Sequence, residues 1–181
     1  MTDLYIDDPD EGLAPVTSHP RFVEVAPEEF YDEANEFAPF GSDDGHDTLR
    51  SLEGWFEENG ANSDPRTFLA ELLEDWGFDL PPNIHEAAAD ELREWSAAED
   101  MNEVLITSEA RARVATALGT LKIVGTVSSE MLAEGRAGVR VLRILAEDTT
   151  RYPDWPYRGE ALRALADIAT VLDRIDPATE A

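Results

Sequence analysis

The sequence predicts an all-α fold: a single domain of about six or seven packed helices. Three observations carry that prediction. Apolar residues recur at helical spacing from Ala26 almost to the C-terminus. No stretch alternates apolar and polar residues as a half-buried strand does. The periodic segments are separated by short polar links holding Pro, Gly, Ser, Asp or Asn, the residues that start and stop helices. At 181 residues and 43% apolar content, the chain has enough material for one ordinary core.

Residues 1–18, rich in Asp, Pro and Gly, read as a flexible acidic tail, with Tyr5 and Ile6 able to dock on the body. The helical domain then covers 19–181. Pro27 suits a first helical position, Glu28 and Glu29 complement the helix dipole, and Phe30, Ala34 and Phe37 share a face until Pro39. A second helix begins at Ser42 to Asp44, turns Leu49, Leu52 and Phe56 inward, and stops at Gly60 in a left-handed conformation. Asp64 and Pro65 open a third, whose Phe68, Leu69, Leu72, Leu73 and Trp76 form one stripe before Gly77. Beyond Pro81-Pro82, Asn83 caps a helix burying Ile84, Ala88, Leu92 and Trp95. Residues 96–103 read as a loop, and 104–106 fit strand or helix equally. Ser108 opens a helix to Gly125, and Ser128 opens another striped with Met131, Leu132, Val139, Leu142 and Leu145. Gly135 and Gly138 inside it each cost roughly 1 kcal/mol against alanine, so they serve close packing or mark a kink. The last helix covers about 157–175.

Charge narrows the function. The net charge is -26, and its distribution is lopsided. Residues 1–100 hold 28 acids against 4 bases, whereas 101–181 hold 12 against 10. Such a field repels nucleic-acid phosphates and anionic lipid, and it attracts a basic partner. Thirteen arginines beside the single Lys122 also suit a salt-adapted or GC-rich composition, in which acids maintain solubility. Solubility alone does not account for the sparing of the second half. There is no cysteine, hence no disulfide and no thiolate chemistry. No apolar run approaches the ~20 residues of a membrane span. The acidic start is unlike a secretory signal, so a cytoplasmic protein is expected.

Asp43, Asp44, His46 and Asp47 gather carboxylates and an imidazole, a donor set suited to a divalent cation. They match neither the EF-hand loop nor the paired-histidine zinc motif. Acids in a helix's first turn have a simpler reason, the dipole and the free N–H groups there. Neither a G-x-S-x-G elbow nor a Gly-rich phosphate loop occurs, so no catalytic residue, cofactor or metal is assigned. The turn Phe40, Gly41, Ser42, Asp43, Asp44 and Gly45, with His46 and Asp47, is the first candidate for binding. Lys122, a lone cation in an apolar run, is expected to pair with a carboxylate of the acidic half. Trp155, in a loop with Tyr152 and Tyr157, fits a partner patch or a lid over the core; Trp55, Trp76 and Trp95 fit core positions.

His19-Pro20-Arg21, Phe30-Tyr31-Asp32 and the turn from Glu36 through Phe37-Ala38-Pro39-Phe40-Gly41-Ser42-Asp43-Asp44-Gly45 together resemble the YfeS-like group of bacterial proteins. Those proteins carry a histidine-proline start, an aromatic-aspartate pair and an APFGSD-G turn. Leu121-Lys122-Ile123-Val124-Gly125, and Tyr157-Arg158 with Glu160, resemble later segments of the group. The group has no assigned activity, so the resemblance implies a fold and a focus, not a reaction.

Three functions follow from these readings. The first is a non-catalytic acidic protein that binds a basic protein partner, as an immunity-type or regulatory factor. The second is a DNA mimic whose carboxylate rows occupy a nucleic-acid-binding protein. The third is a metal-dependent enzyme using Asp43, Asp44, His46 and Asp47.

Overall fold

In the computed structural model, which describes residues 3–175 and 177, seven α-helices pack around one of their number. Residues 1–2 of the expected tail and residues 176 and 178–181 of the expected domain lie outside the described residues. In order they are α1 (Pro20–Val25), α2 (Asp43–Asn59), α3 (Pro65–Trp76), α4 (Ala89–Ala98), α5 (Asp100–Val124), α6 (Ser129–Ala146) and α7 (Arg158–Arg174). No strand occurs among the described residues, only an isolated bridge between Asp8 and Gly12.

The organising element is α5. Every residue from Ala112 to Val124 is buried, so the second half of this helix is covered on all sides and has no solvent face to keep polar. Its length arises differently from expectation. Residues 96–103 are not a loop, and Ser108 is not a cap. The helix starts at Asp100, with Asp100 and Glu103 in its first turn. The Asn102 side chain donates 2.8 Å to the Trp95 carbonyl and closes the corner from α4. Ile106 then enters a small second core with Ile84, Leu92, Ala110, Val141 and Ile144, which settles the 104–106 run as helix.

The helices α1, α2, α3, α4 and α6 all pack against α5, α6 most extensively, and α7 packs on α6. Gly135 and Gly138 serve the α5–α6 contact. A Cβ on Gly135 would stand 2.7 Å from Ala117 Cβ, and one on Gly138 2.4 Å from the Ala110 carbonyl oxygen. Close helix approach, rather than a kink, is their reason.

Helix α3 has the predicted signals: Asp64 accepts from the Arg66 N–H, Pro65 follows, and Gly77 closes in the left-handed region. Helix α2 is capped by Ser42, whose hydroxyl accepts from the Gly45 N–H. Gly60 follows it at φ 88° and ψ 160°, outside the expected left-handed stop. Asn83 does not cap a helix. It adopts a left-handed φ of 58°, a 3-10 turn follows at Ile84–Glu86, and α4 begins only at Ala89.

The N-terminal third differs most. The helix expected across 26–39 is only a 3-10 turn at Glu28–Tyr31. Asp32 and Asn35 take the backbone elsewhere: their side-chain oxygens accept from the Ala34 and Phe37 N–H groups, each at 3.0 Å. These Asx turns compete successfully with helix. A short helix instead forms earlier, at α1, with His19 Nδ1 accepting from the Arg21 N–H. Nor does the segment before it stand free as a flexible tail. Tyr5 donates its N–H to the Ile123 carbonyl at 3.0 Å, and Leu13 is buried in the main core.

Candidate functional site

The 36–45 turn is built by close backbone approach. A Cβ on Gly41 would meet the Asn35 carbonyl oxygen at 1.9 Å, and one on Gly45 the Pro39 carbonyl oxygen at 2.4 Å. Just before Gly41, Phe40 is fully buried, 6.2 Å from the Phe22 ring, and Phe22 meets Tyr31 edge to face at 5.8 Å. His19-Pro20-Arg21 lies against the end of α5: the His19 N–H donates to the Lys122 carbonyl at 2.8 Å, and Arg21 donates to the Gly125 carbonyl. The imidazole occupies the space a Cβ on Gly125 would fill, while Gly125 itself is left-handed. Phe22, Tyr31 and Phe40 thus pack together, and the 19–21 segment joins them to the end of α5.

Lys122 is completely buried, and its ammonium is fully engaged. It lies 2.7 Å from Asp7 Oδ1 and 2.5 Å from Glu53 Oε1, and it donates to the Tyr5 carbonyl at 3.0 Å. The expected carboxylate from the acidic half is present as Glu53; the second comes from the segment read as a tail. Thr17 donates to Asp7 Oδ1, and Arg50 stands 3.1 Å from Asp7 Oδ2 and 3.2 Å from Glu53 Oε2. Buried Lys122 and half-exposed Arg50 thus meet the two buried carboxylates, Arg50 also reaching Glu33 at 3.4 Å, and the group clasps residues 5–7 to α2 and α5.

The proposed metal cluster does not assemble. Asp43 and Asp47 are exposed; Asp44 turns to Arg111 at 3.4 Å, and His46 to Glu33 at 3.3 Å. Among the described residues no three His, Asp or Glu side chains are placed to share a metal ion. Phe40, Gly45 and Lys122, candidates for binding in the sequence, are core and clasp residues instead.

Trp155 and Ser42 point to another feature. A cleft of about 400 Å³ opens between the 36–42 turn, α5, α6, α7 and the loop before α7. Val114, Leu142, Leu165 and Ile168 form its apolar interior, and Trp155 meets Phe37 edge to face at 6.1 Å beside it. A second hollow of about 280 Å³ shares Glu103, Thr107, Arg111 and Tyr152 with the first. Arg111 reaches Glu36 at 3.1 Å as well as Asp44, and Arg151 Nε reaches Glu103 at 2.5 Å. Glu103 and Arg111 were not singled out in the sequence. Glu103 fell in an apparent loop, and Arg111, between Glu109 and Arg113, lacked the apolar surroundings that marked Lys122.

The third polar group is structural. His85 lies 3.7 Å from Glu109, which Arg113 grips at 2.5 Å; Arg113 also pairs with Glu134, and Arg140 holds the His85 and Ala87 carbonyls. Burial, then the Arg113 charge, lowers the His85 pKa below its ordinary 6.5.

These features define an acidic all-α domain with a buried ionic clasp and an apolar cleft. No family model matches the chain, and no curated protein or solved structure does so either. No helix among the described residues is long and apolar enough to cross a membrane.

Proposed function

We propose that the protein is a non-catalytic acidic helical binder of a basic protein partner, of the immunity or regulatory type. The observation that carries this reading is where the acids are. Of the 28 acidic residues of the first hundred, 22 belong to α1–α4 and their links and five more precede α1, and α2 and α3 both pack against α5. On those two helices Glu57, Glu58, Glu71, Glu74 and Asp75 are exposed. Like charges so gathered raise the rate of encounter with a cationic surface and weaken as salt screens them.

The dispersed orientation of Asp44 and His46 favours this reading over a metal-dependent enzyme. In a pull-down with the full chain, one partner is recovered in stoichiometric amount, and its affinity falls as salt rises. Recovery of no partner at low salt overturns the proposal.

A further inference from the structure

We propose that the cleft between the 36–42 turn and the loop before α7 binds a substituted ammonium ion carrying an apolar tail. Its volume of about 400 Å³ falls within the usual range of small-molecule sites, and its depth is aliphatic, with Val114, Leu142, Leu165 and Ile168. Aromatic rings stand nearer the rim: Phe37 and Trp155 in edge-to-face contact, with Tyr157 exposed beside them. Aromatic faces attract cations, most effectively alkylated ammonium groups whose water is weakly held. The adjoining hollow, which shares Tyr152 with the cleft, already uses this chemistry once, since the Arg151 guanidinium lies 5.6 Å from the centre of the Tyr152 ring.

Charge chooses the head group. Arg111 is held by Asp44 and Glu36, and Arg151 by Glu103 with Asp100 3.9 Å away. Glu36 and Glu103 line the cleft with Arg111, and Asp44, Asp100 and Arg151 line the adjoining hollow, so across the two the carboxylates outnumber the arginines four to two. A ligand carboxylate would have to displace an internal acid to reach either arginine, in a chain of net charge -26. A cationic head meets an excess of negative charge and needs no displacement. The apolar tail fills the depth, and hydrophobic transfer supplies its share of the affinity. This inference stands on the cleft and does not depend on the basic-partner reading.

Calorimetric titration of the full chain at low salt tests it, with decyltrimethylammonium and decanoate as probes, both below the concentrations at which they form micelles. The ammonium is expected to bind at one saturable site, and decanoate about tenfold more weakly. Glu103→Gln is expected to weaken the ammonium several-fold. Trp155→Ala, with its helical circular dichroism retained, is expected to abolish binding; should that variant not fold, Glu103→Gln carries the test. Glu71→Gln combined with Glu74→Gln removes charge from α3, away from the cleft, and should leave binding unchanged. Equal or tighter binding of decanoate, the absence of a saturable site, or equal weakening by the α3 changes overturns the proposal.

Discussion

Lys122→Met would leave the Asp7 and Glu53 carboxylates, both almost wholly inside the protein, without the ammonium that meets them. Removing one partner of a buried pair typically costs about 3–5 kcal/mol, because the other charge stays buried. The same change frees the Tyr5 carbonyl and loosens the 5–7 segment. Urea unfolding of Lys122→Met should show that loss, and a loss below about 1 kcal/mol would mean the clasp is not closed in solution. Lys122 also shows what was legible at this scale. A lone lysine among apolar residues announces a buried partner, and the acid-rich half had to supply it. That Asp7 is one of the two acids was not legible, because an Asp/Pro/Gly-rich stretch reads as solvated until its contacts with Ile123 and Lys122 are known.

At the scale of elements, two glycine-to-alanine changes should have opposite signs. Gly54 in α2 has open space where a Cβ would go, so Gly54→Ala gains roughly 0.5–1 kcal/mol from helix propensity. A Cβ on Gly138 in α6 would meet the Ala110 carbonyl oxygen at 2.4 Å, so Gly138→Ala forces α5 and α6 apart and loses about 1–3 kcal/mol. Thermal unfolding of the two variants checks both signs, and stabilisation by Gly138→Ala would contradict the observed α5–α6 contact. Helices with local punctuation were readable for the same reason that α3 was: Asp64, Pro65 and Gly77 act on their own backbone. The 26–39 segment was misread because Asp32 and Asn35 bond backbone groups two residues on, which apolar spacing does not report. The cleft was hidden for a different reason. Its walls come from Phe37, Val114, Leu142 and Trp155, far apart in the chain, and only tertiary packing brings them together.

Across the whole molecule, stability should fall on mild acidification. The pKa values of His19 and His85 are both lowered below the ordinary 6.5, chiefly by burial, with Arg21 and Arg113 respectively adding to the effect. The unfolded chain therefore binds protons more readily, and stability declines as pH falls from about 6.5 through the depressed folded values. Urea midpoints at pH 7.5 and 5.5 should differ in that direction. The His19→Asn/His85→Asn variant should flatten the difference in this window, whereas an unchanged slope would contradict the assignment. Salt addresses the meaning of the charge. The paired carboxylates of the clasp and an apolar core that runs through α5 predict a chain folded at low ionic strength. Thermal unfolding at low and at molar salt checks this, and a strong requirement for molar salt would make the acidity an adaptation to brine.

The acidic side of α2 and α3 is the feature on which the functional reading rests. Its most direct test compares partner capture at low salt by the native chain and by a chain carrying Glu57→Gln, Glu58→Gln, Glu71→Gln, Glu74→Gln and Asp75→Asn, all at exposed positions. The native chain should retain its basic partner and the neutralised chain, folded to the same helical content, should lose it. Equal retention by both would contradict the account.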